Sequence, residues 1–129
     1  MAARVVFFVQ HGSFEPAFQA SSMAITAAAM GDEVWMVFAW DGLRQLARGS
    51  YGLPEKDRER HEQARSEGLG LPNPLKMLQE ARSLGVRLVA CESIVKMCGF
   101  DPAQLNDVLD EVMGLASIWR LTEGARTIS

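Results

Sequence analysis

The chain has 129 residues, a size that suits one domain spanning residues 1–129. Its net charge is −3, which argues against the basic surface of a nucleic-acid-binding protein. The two cysteines are too few for a disulfide framework or a zinc-ligand pattern, and they fit a reducing compartment. The N-terminal apolar run is too short for a signal peptide, and no run approaches membrane-spanning length. We therefore expect a soluble cytoplasmic protein.

Apolar patterning predicts that strands and helices alternate along the first part of the chain. Continuous apolar, β-branched runs at residues 4–10 and 33–40 indicate strands that are buried on both faces. A stretch of helix formers over residues 14–30 lies between them and is closed by a glycine. An Asp-Gly pair then turns the chain into a short helix over residues 43–47.

Residues 48–71 break this pattern. They contain a dense charge block over residues 55–62 and almost no apolar side chains, so they have no apolar face to bury. Pro54 is suited to begin a solvated helix that local ion pairs stabilise. We interpret the stretch as a solvated surface segment, and a mobile lid is the alternative.

The alternation resumes in the second half of the chain. Asn73 followed by Pro74 predicts a helix start, because Asn caps helices and Pro fits their first position. The predicted elements that follow are a helix over 74–84, a strand over 86–90, a helix over 92–97, a helix over 101–110 opened by an Asp-Pro pair, a strand over 112–113, a helix over 115–122 and an edge strand over 125–128.

This order of elements predicts an α/β fold. We expect a single-domain, flavodoxin-like three-layer sandwich with a five-stranded, mainly parallel sheet in the order 2-1-3-4-5. In that order the first and third strands are neighbours, and a crevice opens at their carboxyl ends. His11 follows the first strand and Cys91 follows the third, so we expect the two side chains to lie close together.

Cys91 is the leading candidate for chemistry. It stands where a strand gives way to a helix start, and the N–H groups of a helix start favour a thiolate. Ser93 is placed either to donate to the sulfur or to cap the helix. The neighbouring carboxylate of Glu92 disfavours a second negative charge. Cysteine is also among the most frequently buried residue types, so a structural role is the alternative.

Residue spacing argues against several other chemistries. Cys98 does not form a Cys-x-x-Cys motif with Cys91, and we interpret it as a packed residue, with a resolving thiol as the alternative. Met97 stands where the loop of a cysteine phosphatase has its arginine. Gly12 and Ser13 match neither of the glycine-rich phosphate-binding motifs. We therefore expect no cofactor and no metal.

The remaining candidates stand at the same edge of the predicted sheet. His11 is suited to act as a base or positive partner for the thiol, or to hydrogen-bond its own turn. Gly12, Trp40, Asp41 and Glu92 are the predicted substrate-binding residues. For Asp41, a plain turn is the alternative.

Several segments together resemble the DsrE/DsrF-like family of small sulfur-relay proteins. The strongest resemblance is a helix that ends in Gly-Val, followed by an apolar strand, a cysteine and a short helix closed by glycine. A phenylalanine-containing strand that leads into Gly-Leu is similar as well. The matching positions are residues 84–91 with Ser93, Met97, Gly99 and Phe100, residues 37–43, and Gly31 with Glu33 and Val34.

The resemblance implies a flavodoxin-like fold, a homo-oligomer that is commonly a trimer or hexamer, and sulfur carried as a persulfide on Cys91. Its partners would be sulfur donor and acceptor proteins. Residues 48–71 do not match the family, but because an acceptor has to reach the crevice, we expect them to serve as a docking surface or lid. Whether the protein is an enzyme, as a sulfurtransferase, stays open. The alternatives are a non-catalytic oligomeric interaction module and a small-molecule binding domain, each with a buried structural cysteine.

Overall fold

The computed structural model of the protein describes residues 3–129, and none of the helices within them is both long and apolar enough to cross a membrane. Five parallel strands, six α-helices and one 3₁₀ turn make up this part of the chain. In chain order they are β1 (Arg4–Val9), α1 (Phe14–Ala29), β2 (Glu33–Phe38), α2 (Trp40–Ala47), α3 (Asp57–Gly68), α4 (Pro74–Ser83), β3 (Arg87–Cys91), α5 (Glu92–Met97), the 3₁₀ turn Pro102–Leu105, β4 (Glu111–Met113), α6 (Leu115–Leu121) and β5 (Arg126–Ile128).

The strands lie in the order β4-β3-β2-β1-β5, and each neighbouring pair is parallel. The α/β class and the five-stranded parallel sheet are therefore confirmed, but the order 2-1-3-4-5 is not the observed one. The first three crossovers each step to the next position in the same direction, which places β2 between β1 and β3. The last connection returns across the sheet and places β5 beside β1.

The direction of each crossover decides which face of the sheet its helix covers. Right-handed connections place α1, α2, α4 and α5 on one face, and the reversed step to β5 places α6 on the other. On the first face, Phe7 and Phe38 belong to the larger core with these helices. On the second face, Val37 and Cys91 pack with Ile118 of α6. The three-layer arrangement is present, with one thin outer layer.

The two predicted Asx helix starts lead to different structures. Asn73 accepts a hydrogen bond from the N–H of Lys76 at 2.9 Å and begins α4 as predicted. Asp101 also caps main-chain N–H groups, but the element it begins is the short 3₁₀ turn Pro102–Leu105 and not a helix to residue 110. The Asn and Asp residues that follow this turn compete with helical hydrogen bonding, which explains its early end.

Residues 48–71 contain α3, which is anchored to α1 by polar contacts. The stretch was expected to have no apolar face to bury, and what α3 buries is the charged side chain of Glu59, which is 2% exposed. Beside it, the guanidinium of Arg58 donates to both carboxylate oxygens of Glu15, at 2.9 and 3.0 Å. A polar helix can therefore dock without an apolar stripe when a carboxylate and an ion pair make the contact.

Tyr51 fastens the loop before α3 to the core. Its ring meets that of Phe38 edge-on, with the centroids 5.8 Å apart, and its hydroxyl lies 2.8 Å from the hydroxyl of Ser21 on α1. It also donates to the carbonyl of Ala17 at 3.3 Å. Burial raises the pKa of Tyr51 to about 12, so the phenol remains a donor at ordinary pH.

Candidate functional site

The carboxyl edge of the sheet contains most of the predicted site residues. Cys91 is the last residue of β3, Trp40 follows β2, and His11 follows β1. Because β2 lies between the other two strands, His11 and Cys91 follow strands that are about 10 Å apart. We expected the thiol of Cys91 and the imidazole of His11 to lie close together because the predicted strand order made β1 and β3 neighbours. In the structure the segment around Trp40 lies between them.

The side chain of Cys91 lies beneath the thin α6 layer. It is 4% exposed and packs in an apolar cluster with Val89 and Ile118. Met113 pairs with it across the β3–β4 ladder and is half-buried in the same cluster. The thiol stands at the end of its strand, as predicted, but it is buried in this cluster, to which α6 contributes Ile118. Part of the cluster would therefore have to move before a partner thiol could reach the sulfur.

Cys98 belongs to the opposite face of the sheet. It follows the last residue of α5, is half-buried, and packs with Phe100 against the larger core. Cys91 packs in the cluster on the α6 side. Because the two free thiols face different cores, the geometry favours the interpretation of Cys98 as a packed residue over that of a resolving thiol.

Glu92 and Ser93 begin α5 and are both exposed. The carboxylate of Glu92 accepts from the ammonium of Lys96 at 3.1 Å, one helical turn away. This pairing offsets part of the repulsion that Glu92 would exert on an anionic sulfur. The N-cap position of α5 is occupied by Cys91 itself, so Ser93 is not the cap of this helix.

His11 and Gly12 form the turn after β1. His11 is exposed and lies where two cavities meet. Gly12 is buried, and a Cβ atom at this position would lie 2.7 Å from the Cβ of Gln45. The carbonyl of Gly12 accepts from the N–H of Gly52 at 2.8 Å. The close approach of this turn to α2 explains the glycine, and its contact with a substrate stays a prediction.

Trp40 and Asp41 begin α2. Trp40 has a φ of 50°, a left-handed value that residues with a side chain rarely adopt, and such backbone strain is concentrated at functional sites. Its side chain is 39% exposed, so it is available as a wall of a site at this edge. The carboxylate of Asp41 accepts from Arg44 at 2.8 Å, which is consistent with the local turn role.

A family model relates this architecture to known proteins. The model of the DsrE/DsrF-like family matches residues 3–128, which is nearly the whole chain. The chain belongs to the DsrE/DsrF-like family. The family is generally associated with sulfur relay, and the resemblance noted in the sequence is confirmed.

Two solved structures share the fold of this DsrE/DsrF-like chain. A protein of unknown function, MTH1491 from Methanobacterium thermoautotrophicum, is similar with a TM-score of 0.64 and 22% identity, covering 98% of this chain and 97% of its own. The ychN protein from E. coli is similar with a TM-score of 0.61 and 16% identity, covering 99% and 97%. At these identities the likeness shows the fold alone. No curated protein matches the chain significantly.

The DsrE/DsrF-like domain also contains a buried carboxylate that sequence patterns do not reveal. Glu59 borders a polar cavity of about 200 Å³ and accepts from the N–H groups of Glu15, at 2.7 Å, and Glu55, at 3.0 Å. Burial raises the pKa of Glu59, but main-chain hydrogen bonds to the ionised form outweigh it and hold the pKa below its ordinary value. In the sequence, Glu59 is one of several glutamates in a charge block and nothing distinguishes it.

Glu59 has a consequence for anion binding at the first turn of α1. The N-terminus of a helix is a natural position for a phosphate, and here the carboxylate of Glu59 occupies it. A phosphate-bearing molecule would have to displace Glu59 to bind there. Within residues 3–129, no three His, Cys, Asp or Glu side chains form a group that could hold a metal ion.

Proposed function

We propose that this protein carries sulfane sulfur as a persulfide on Cys91 and passes it to the thiol of a partner protein. Membership of a family associated with sulfur relay carries the proposal. The position of Cys91 supports it, because the carboxyl edge of a parallel sheet is where such folds bind their ligands. Of the two free cysteines, Cys91 is the one that stands at this edge.

The chemistry consists of two thiol–persulfide exchanges. In the first, the Cys91 thiolate attacks the outer sulfur of a donor persulfide, R–S–SH; the new S–S bond forms as the donor's S–S bond breaks, and the donor leaves as a thiolate. In the second, an acceptor thiolate attacks the outer sulfur on Cys91, and the Cys91 thiolate is regenerated. Each step conserves charge, protons and oxidation level, so no separate oxidant is needed.

Access to the thiol depends on α6. This helix has seven residues, lies between Gly114 and Gly124, and buries Ile118 against the cluster that holds Cys91. A short element with little buried surface opens at low free-energy cost. We infer that displacement of α6 exposes Cys91 to the donor and acceptor. The α6 layer, and not residues 48–71, then acts as the cover of the thiol.

The surface around this cover supports the existence of protein partners. Leu115 and Trp119 lie four residues apart on α6 and are 67% and 71% exposed. Neighbouring exposed apolar side chains on one helix are typical of interaction sites. Sulfur donor and acceptor proteins, and further copies of this chain in a trimer or hexamer within the reducing cytoplasm, are the partners that the proposal expects.

Persulfide loading provides the direct test. After incubation with glutathione persulfide, intact-mass and peptide analysis should show a gain of about 32 Da, one sulfur atom, on Cys91. The Cys91→Ser variant should lack this adduct, whereas Cys98→Ser should retain it. Transfer is then checked by the loss of the adduct when a thiol acceptor is added.

Three results would contradict the proposal. The first is that no adduct forms and that alkylating reagents modify Cys91 only once the whole protein unfolds. This result would favour a structural cysteine in an interaction module. The second is an adduct that persists in Cys91→Ser and disappears in Cys98→Ser. The third is an adduct on Cys91 that no thiol acceptor removes.

A further inference from the structure

A second candidate site lies between β1 and β5, on the α1 side of the sheet. The strand order reverses at this pair, since β2, β3 and β4 extend to one side of β1 and β5 lies on the other. Ligands of open α/β sheets bind where the order reverses. A cavity of about 350 Å³ opens here, which we call the β1–β5 crevice. Its apolar walls are Phe7, Val9, Pro16, Ala20, Met23 and Ile128.

The crevice forms because β5 is shorter than the neighbouring β1. β5 pairs with Val5, Val6 and Phe7, so the residues of β1 after Phe7 extend past it. On the opposite wall, α1 presents the short side chain of Ala20, which leaves space between helix and strand. The volume is within the range of small-molecule sites, roughly 300–1,000 Å³.

The lining of the crevice indicates the chemistry of a ligand. Among the described residues 3–129, no Asp, Glu, Lys or Arg side chain lines it. An ionic group deep inside would therefore lose its hydration without gaining a charged side chain as its partner, which is costly. Polar residues stand at the rim, namely His11, Gln10, Gln19 and Ser129, all exposed. A neutral imidazole offers one donor and one acceptor.

We propose that the β1–β5 crevice binds a compact, uncharged and mainly apolar molecule with one hydrogen-bonding group. Its apolar part lies between Ala20 and Met23 on one side and Phe7 and Ile128 on the other, and its polar group bonds to His11 at the rim. Cys91 is on the opposite face of the sheet and two strands away, so this site functions independently of the persulfide.

Indole is a suitable probe because it is uncharged, bicyclic and has one N–H donor. Titration of the isotope-labelled protein with indole, followed by NMR, should give saturable shifts of the methyl groups of Ala20, Met23 and Ile128. Tryptamine and indole-3-acetate have the same ring with a charge, and they should bind at least about tenfold more weakly because the ion would be desolvated. Shifts that rise linearly without saturation, or that centre on Trp119 and α6, would overturn the proposal.

Two alanines of α1 provide a matched pair of variants. Ala20→Leu fills the crevice and should weaken indole binding at least about tenfold. Ala29→Leu adds the same side chain at an exposed position of the same helix and should leave binding within about twofold. His11→Ala, at an exposed position that does not endanger folding, should weaken indole about threefold to tenfold through the lost hydrogen bond. Unchanged binding in both Ala20→Leu and His11→Ala would refute the assignment of the site, as would equal affinity for the charged analogues.

Discussion

Replacing Glu59 by alanine is expected to destabilise the protein by about 2–4 kcal/mol. The carboxylate is 2% exposed and accepts from the N–H groups of Glu15 and Glu55, which begin α1 and precede α3. Without this carboxylate, both N–H donors lose their charged acceptor, and a cavity replaces the side chain. Urea unfolding followed by circular dichroism measures the change as a shift of the midpoint at unchanged slope.

The matched control is Glu67→Ala. Glu67 lies on the same helix but is exposed, so its loss should change the free energy of unfolding by no more than about 0.5 kcal/mol. If Glu59→Ala is as stable as Glu67→Ala, the buried carboxylate does not hold α3 against α1. The ion pair of Arg58 with Glu15 and the buried Tyr51 would then be the contacts that hold residues 48–71 in place.

The same carboxylate makes the stability depend on pH. Burial raises the pKa of Glu59, but hydrogen bonds from the main chain prevail and leave it below the ordinary value of 4.5. The unfolded chain therefore binds more protons in acid than the folded protein, and the stabilisation is complete above about pH 5 and lost as the pH falls through the folded pKa. The difference in stability between the wild type and Glu59→Gln should be larger near pH 7 than near pH 3. An equal difference at both pH values would contradict an ionised Glu59.

The elements of this fold are predictable from the sequence because local signals are strong. Buried runs mark β1 and β2, and Asn73 with Pro74 marks the start of α4. The strand order is less predictable, because it depends on the direction of each crossover and not on local patterning. One misplaced strand has a large consequence, since it separates His11 from Cys91 by the width of β2.

The site shows the same division between local and non-local information. The position of Cys91 at the end of β3 follows from the apolar run before it, and the structure agrees. Its burial was one of two alternatives in the sequence, because it depends on Ile118 of α6, a distant segment that the last crossover brings to the same face of the sheet. Glu59 is a stronger case, because its partners at Glu15 and Glu55 include a main-chain N–H from another helix. Side-chain type alone does not reveal such a contact.

Substituting Gly42 by alanine is expected to destabilise the protein by about 2–4 kcal/mol, since it forces main-chain atoms apart. A Cβ at this position would lie 2.3 Å from the carbonyl oxygen of Val9, at the end of β1. Relief requires α2 to move away from the strand, which also strains the hydrogen bond from the N–H of Gly42 to the carbonyl of Gln10, 3.1 Å long. Urea unfolding measures the loss.

Gly68→Ala tests whether the cost comes from this close approach. Gly68 is also helical, but a Cβ there would meet nothing within 4 Å, so the alanine should be neutral or stabilise by up to about 1 kcal/mol. Equal stability of the two variants would show that α2 does not press on the end of β1. The expected result has a functional corollary: Gly42→Ala should shift the NMR signals of Trp40 and His11, which flank the contact, and leave persulfide loading of folded protein at Cys91 intact. That outcome would show that the carboxyl ends of β1 and β3 support separate sites.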